Sequence, residues 1–303
     1  MGSTIHLKRG YGSVHGDRGF AQAVVAVDEA GVIVAACVEE FEATKAGKEG
    51  MTPVPNADLT LGKGFAEGFT LFSKLDNDAW YSGMMEQFAS ATQRWSVSQR
   101  AVARSLAGRE VGKIEAEGQD QVDAIAGATL ADAAQYRALI LEVAAHGPVV
   151  SKGRFDPARP VSIGCANGIG HGNNAWANAV TVVQDGVIAA ASVDEFMFVA
   201  RDAEGYVPLS NLDGGLGASF APGQMLVSKS LNSVPYSQLL RDRKNATLEW
   251  EQSMRAIEAS LVGIAVDEPE EFEVDDISGS TLVDAVVYGE LVFEAAQAAH
   301  PAR

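Results

Sequence analysis

Val32-Ile-Val-Ala-Ala-Cys-Val-Glu-Glu-Phe41 returns as Val187-Ile-Ala-Ala-Ala-Ser-Val-Asp-Glu-Phe196, an offset of 155 residues. Each copy follows a short turn, Asp28-Glu-Ala-Gly31 in one case and Gln184-Asp-Gly186 in the other. Before each turn stands another apolar run, Gln22-Ala-Val-Val-Ala-Val27 or Ala179-Val-Thr-Val-Val183. Runs rich in Val and Ile on both sides of a glycine turn predict a β-hairpin. A hairpin written twice predicts two similar antiparallel sheets.

The register extends well beyond the hairpin. Pro53, Asn56, Asp58, Leu61, Gly62, Phe65, Ala66 and Gly68 recur as Pro208, Asn211, Asp213, Leu216, Gly217, Phe220, Ala221 and Gly223. Ser73-Lys74, Tyr81, Trp95 and Leu106 recur as Ser228-Lys229, Tyr236, Trp250 and Leu261. A small indel near Glu29 aligns His15-Gly16 with His171-Gly172, and the offset falls to 152 near the end of each copy. A register held this long reads as a tandem duplication, with one repeat in residues 1–147 and the other in 160–303. Two units of roughly 145 residues suit the usual size of a domain, each with its own core. The stretch 147–160, with Gly, Lys, Arg and three prolines, reads as the linker.

Within a repeat, residues 10–19 read as a glycine-rich entry loop and 43–68 mostly as loop. The runs 95–106 and 250–261 predict helices, each followed by Gly108 or Gly263. A long closing helix is expected over 129–146, stopped by Gly147-Pro148, and over 281–300, stopped by Pro301. Strands followed by helices, rather than strict alternation, indicate an α+β fold.

Composition removes several classes of function. The 40 acidic and 23 basic residues give a net charge of −17, which opposes nucleic acid and anionic membrane surfaces. No apolar run reaches spanning length, so membrane insertion is not expected. The opening residues lack the apolar core of a signal peptide, which predicts a cytoplasmic protein or an exported one whose signal has been removed. Cys37 aligns with Ser192, while Cys165 is expected in the loop before the second copy's first strand. Such unmatched cysteines read as free buried thiols rather than a duplicated bridge or metal site.

Each repeat ends in one motif: Asp123-Ala-Ile-Ala-Gly127-Ala128-Thr129-Leu130 and Asp275-Asp-Ile-Ser278-Gly279-Ser280-Thr281-Leu282. Taken alone, Thr129 and Thr281 with Asp132 and Asp284 three residues later fit a capping-box-like helix start. The same geometry suits a phosphate, because a helix N-terminus offers unpaired N–H groups and partial positive charge. Asp123 and Asp275 are not needed by a cap, so their recurrence points beyond one.

Each repeat resembles the FMN-binding domain family, which includes the FMN-carrying subunits of the Rnf and sodium-pumping NADH:quinone reductase complexes. In that family a flavin transferase joins FMN through its phosphate to the last Thr of a D-x-x-[S/T]-G-A-T motif. The resemblance implies attachment at Thr129 and Thr281, and recognition of Asp123 and Asp275 by the transferase. The rest of each motif, Gly127, Ala128 and Leu130 or Ser278, Gly279, Ser280 and Leu282, would flank the flavin. The first copy departs from the pattern at Ala126 and the second at Ser280.

Four residues outside the motif join this set. Lys74 and Lys229 are candidates to neutralise phosphate or polarise a reduced ring, with a solvated strand-end lysine as the alternative. His15 and His171 sit in glycine-rich segments that lack the P-loop Gly-Lys-Ser/Thr, and read as turns or as flavin contacts. Asn211 and Gly217 are further candidates near flavin; Trp95, Trp250, Tyr81 and Tyr236 read as core anchors or stacking surfaces. The expected function is a flavin-carrying electron-transfer protein with up to two covalent FMN groups, served by a flavin transferase and redox partner proteins. A non-redox binding module with duplicated domains and a reductase using noncovalent FMN are the alternatives.

Overall fold

The computed structural model describes residues 2–117, 131–268 and 285–303. Its first half contains strands β1 (Ser3–Gly12), β2 (Gly19–Asp28), β3 (Ile33–Lys45), β4 (Phe69–Ser73) and β5 (Val149–Phe155). Its helices are α1 (Asp78–Ala89), α2 (Trp95–Leu106), α3 (Val111–Glu117) and α4 (Ala133–His146). The second half repeats the plan with β6 (Ser162–Ile169), β7 (Ala175–Gln184), β8 (Val187–Ala200), β9 (Gln224–Ser228) and β10 (His300–Pro301). It carries α5 (Ser233–Lys244), α6 (Trp250–Leu261) and α7 (Ala285–Gln297). Each half forms one antiparallel five-stranded sheet, β4-β3-β2-β1-β5 and β9-β8-β7-β6-β10. The fold is α+β, built from two similar sheets with helices.

The sheets lie face to face between two helical layers. Period-two alternation sends Ala21, Ala23 and Val25 of β2 toward α2 and α4. Val24 and Ala26 point the other way, into a core shared with Val180 and Val182 of β7. β7 is divided likewise, with Ala177 and Ala179 facing α6 and α7. Every residue of β2 except the last is buried, which explains why its sequence is a continuous apolar run rather than an alternating one.

At one end of the shared layer Phe20, Phe41, Trp176 and Phe196 pack together, none more than 1% exposed. Phe20 stacks on Phe41 at 5.0 Å, and Trp176 on Phe196 at 4.8 Å. Further contacts join the two pairs at 5.5–5.6 Å. Such ring pairs stabilise by about 0.5–1.5 kcal/mol each beyond area burial.

Reciprocal hydrogen bonds then lock the halves. The Asn56 amide donates to the carbonyls of Gly172 (3.0 Å) and Ala175 (2.7 Å). The Asn211 amide donates to the carbonyls of Gly16 (3.3 Å) and Gly19 (2.7 Å). Both asparagines hold the left-handed backbone, at φ 65° and 63°, where Asn is tolerated better than most residues. Leu61 N–H donates to Asn173 and Leu216 N–H to Asp17, at 2.9 and 2.8 Å. Gln22 donates to Asn178 at 2.6 Å, between equivalent residues of the two sheets.

Several sequence expectations need correction. Gly10 and Gly12 belong to β1, leaving residues 13–18 as the loop. Their role is close packing: a Cβ on Gly10 would lie 2.5 Å from Val143 of α4, and one on Gly12 would lie 3.0 Å from Leu139 of the same helix. Cys165 sits within β6, not in a loop. Of the expected linker, Val149–Phe155 is a strand paired to β1. The second closing helix ends at Gln297, and His300–Pro301 pairs with β6. In the first closing helix Ala131 and Asp132 form a turn, so α4 starts at Ala133 and the Asp132 side chain makes no cap bond.

Asn56→Ala and Asn211→Ala should each lower stability by about 1–3 kcal/mol, since each strands the carbonyl of a buried residue, Ala175 or Gly19. Chemical denaturation should show one cooperative transition, because the sheets share a core. Two separable transitions would contradict that shared core.

Candidate functional site

The site is assembled by strand register. Phe41 on β3 pairs with Ser73 on β4, and the Lys74 N–H donates to the Glu40 carbonyl at 2.9 Å. Successive side chains face opposite sides of a sheet. Glu40 and Lys74 therefore meet on the helical side, while Glu39 and Ser73 meet on the side facing the other sheet.

On the helical side, Lys74 Nζ lies 2.9 Å from Glu40 and 3.5 Å from Glu42. It stands over the Tyr81 ring at 4.5 Å and the Trp95 ring at 5.9 Å. Tyr136 from α4 donates a short bond to Glu40 and accepts one from Trp95 Nε1 at 3.0 Å. Lys74 is 1% exposed, which overturns a solvated strand-end lysine. Burial works to lower its pKa, but Glu40, Tyr81 and Glu42 outweigh burial and hold it above the ordinary lysine range. Burial, reinforced by Glu40, raises the Tyr136 hydroxyl. Lysine and tyrosine thus both keep their protons.

The second half holds the same constellation. Lys229 Nζ lies 2.6 Å from Glu195, to which Tyr288 of α7 donates at 2.8 Å. The Tyr236 ring is 4.3 Å from Lys229 Nζ, and Trp250 contacts Tyr236 edge to face. The His171 backbone N–H donates a short bond to the other Glu195 oxygen. His171 and Lys229 therefore converge on one carboxylate.

In the first half a cavity of about 180 Å³ opens beside this cluster. His15, Lys74, Tyr81, Trp95 and Tyr136 line it, with Met85, Ala131, Asp132 and the residues that join α1 to α2. His15 Nδ1 and the Asp132 carboxylate are 2.6 Å apart at its exposed mouth. The two expected site residues of the first half that the structure describes, His15 and Lys74, thus share one cavity. Asp123, Gly127, Ala128, Thr129, Leu130, Asp275, Ser278, Gly279, Ser280, Thr281 and Leu282 lie outside the described residues. Ala131 and Asp132 follow the first motif directly and bring the chain to the cavity wall. Asn211 serves the contact between halves instead.

On the other face, an acidic side chain in each half takes a partner from across the sheet interface. Glu39 accepts from Ser73 at 2.9 Å and from Asn167 of β6 at 3.1 Å. Asp194 accepts from Ser228 at 2.6 Å and through a short bond from Tyr11 of β1. Burial and then Asp76 push the Glu39 pKa up to about 8. The Ser-Lys pairs were legible as repeats and Glu40 as part of the repeated hairpin, but neither the acids nor Tyr136 and Tyr288 were candidate site residues. The available signal was recurrence of Glu40 and Tyr136 at the repeat offsets as Glu195 and Tyr288.

Lys74→Met should cost about 3–5 kcal/mol, as expected for breaking a buried pair. Lys74→Met with Glu40→Gln should cost less than the single change, in a denaturation double-mutant cycle. A pH dependence follows from Glu39 and from Glu258 on α6, which burial also raises to about 8. Both stay protonated in the fold above their ordinary 4.5, so stability falls as pH rises toward 8. His300, lowered to about 4 chiefly by burial, acts oppositely only up to its ordinary 6.5. The net fall is therefore steepest from pH 6.5 to 8, and Glu258→Gln should flatten it in denaturation measured across that range. Compared with protein-family models, curated proteins and solved structures, the chain matches none.

Proposed function

We propose that this chain is a flavin-carrying electron-transfer protein, with FMN joined through its phosphate to Thr129 and Thr281. One observation carries the reading: the cavity holding Lys74 and His15 is lined by Ala131 and Asp132, two and three residues beyond Thr129. A chain that close in sequence keeps a group on Thr129 within reach of the cavity.

The residues fit a flat, electron-accepting ring. Tyr81, Trp95, Tyr136 and Met85 provide aromatic and apolar walls, and the buried Lys74 supplies a fixed positive charge. A cavity of about 180 Å³ would take part of a three-ring system, with His15 at its mouth as a polar contact for the group. When bound, FMN would supply the redox chemistry, and the protein would set its position and potential. Glu40 and Tyr136 hold Lys74 in place through the contacts described, and the His15–Asp132 pair provides a polar rim. The recurrence of Lys, Glu, two Tyr and Trp in the second half supports a second carrier site. A flavin transferase and redox partner proteins complete this reading.

Intact mass and peptide mapping, after expression with a flavin transferase, test it. We expect FMN less water on the Thr129 and Thr281 peptides, lost in Thr129→Ala and Thr281→Ala respectively. Flavin released on denaturation would favour the noncovalent reductase instead. A protein with no flavin would return both threonines to helix-start residues and leave the binding module in front.

A further inference from the structure

We propose that the two halves form electrically inequivalent sites, the second being the higher-potential one, so that electrons carried by the chain settle there. This rests on the flavin reading above and on substitutions between positions that otherwise match. Among the described residues Lys74 is paired with two carboxylates, Glu40 and Glu42, whereas Lys229 is paired with one, Glu195. The position matching Glu42 is Met197. Glu42 lies 3.5 Å from Lys74 Nζ and its side chain is only 15% exposed, so water screens it poorly.

The helix beside each site differs in the same sense. The last turn of α1 reads Glu86-Gln-Phe-Ala89, where α5 reads Arg241-Asp-Arg-Lys244. Ala89 lines the first cavity, and Lys244 takes the matching position in the second half. Arg243, in the same turn of α5, takes the position of Phe88 in the first half. Other differences run the other way: Ser96, bonded to Asp78, is matched by Glu251, and buried Arg137 by Gly289. Arg94, 3.5 Å from Asp78, is matched by Glu249, 3.5 Å from Arg241. The difference nearest the lysine, Glu42 against Met197, is the one that carries the inference, because Glu42 is half-buried and 3.5 Å from Lys74 Nζ.

Reduction places negative charge on the group reduced, and nearby fixed charge sets its cost. Glu42 opposes reduction at the first site, and its replacement by Met197 removes that opposition from the second. Arg243 and Lys244 add to the difference more weakly, because exposed charges are screened by salt. Exchange between the sites oxidises one group and reduces the other by the same two electrons, with one proton released and one taken up. Donor and acceptor are external redox proteins.

The test uses full-length protein flavinylated in the cell, with Thr281→Ala retaining only the first flavin and Thr129→Ala only the second. Peptide mass confirms each loading before spectroelectrochemical titration. The second site should titrate at least about 30 mV higher, a tenfold preference for a two-electron couple. Glu42→Met should raise the first midpoint and Met197→Glu lower the second. The surface changes Ala89→Lys and Lys244→Ala should raise the first and lower the second by less, without threatening the fold. Equal or reversed midpoints, or a first midpoint unmoved by Glu42→Met, would overturn the inference while leaving the carrier reading intact. Absence of flavin from both threonines defeats the carrier reading at the mass stage, and this inference with it.

Discussion

Sheet-on-sheet packing at Phe20, Phe41, Trp176 and Phe196 is the contact on which the rest of the molecule depends. Each half presents two of these rings, and each pair packs against the other. Because the inner face of each sheet is covered by the other sheet and the outer face by helices, the central strands are buried on both sides. A polar side chain on such a strand must find a partner there or incur a desolvation penalty. The crossed partners are the consequence: Asn56 and Asn211 satisfy backbone of the opposite half, and Asn167 and Tyr11 reach its carboxylates.

The same constraint shapes the candidate site. Two adjacent acids on one strand and an adjacent Ser-Lys pair at the next strand's end are separated by the pleat onto opposite faces. Lysine meets one acid beneath the helices, and serine meets the other between the sheets. Buried ion pairs contribute little net stability but fix geometry, since either charge alone is strongly unfavourable. The lysine is thereby immobilised against two aromatic rings, at the base of a cavity in the first half.

The hairpins and the helices Trp95–Leu106 and Trp250–Leu261 were legible because their signals are local: Gly turns, apolar runs and terminal glycines. β1 was obscured by its glycines, which look like loop residues until α4 is seen lying against them. β5 was obscured because a strand of seven residues between Gly147-Pro148 and a proline-rich stretch looks like linker. Lys74 and His15 were noticed through repetition, but their partners Glu40, Tyr136 and Asp132 come from distant elements. Tyr136 and Glu40 are 96 residues apart, and no local pattern links them.

The sequence by itself determined that the chain is written in two similar halves, each with a hairpin, helices and a recurring set of Lys, Glu, Tyr and Trp. Periodicity and turn chemistry act over a few residues, and the repeat register extends them along the chain. Only the tertiary structure decided that the two sheets share one core and that Glu39 and Glu40 serve opposite faces. It also decided that His15 and Lys74 line one cavity beside the start of α4. Those outcomes depend on which surfaces exclude water together, a property of packed elements that neither half's sequence encodes alone.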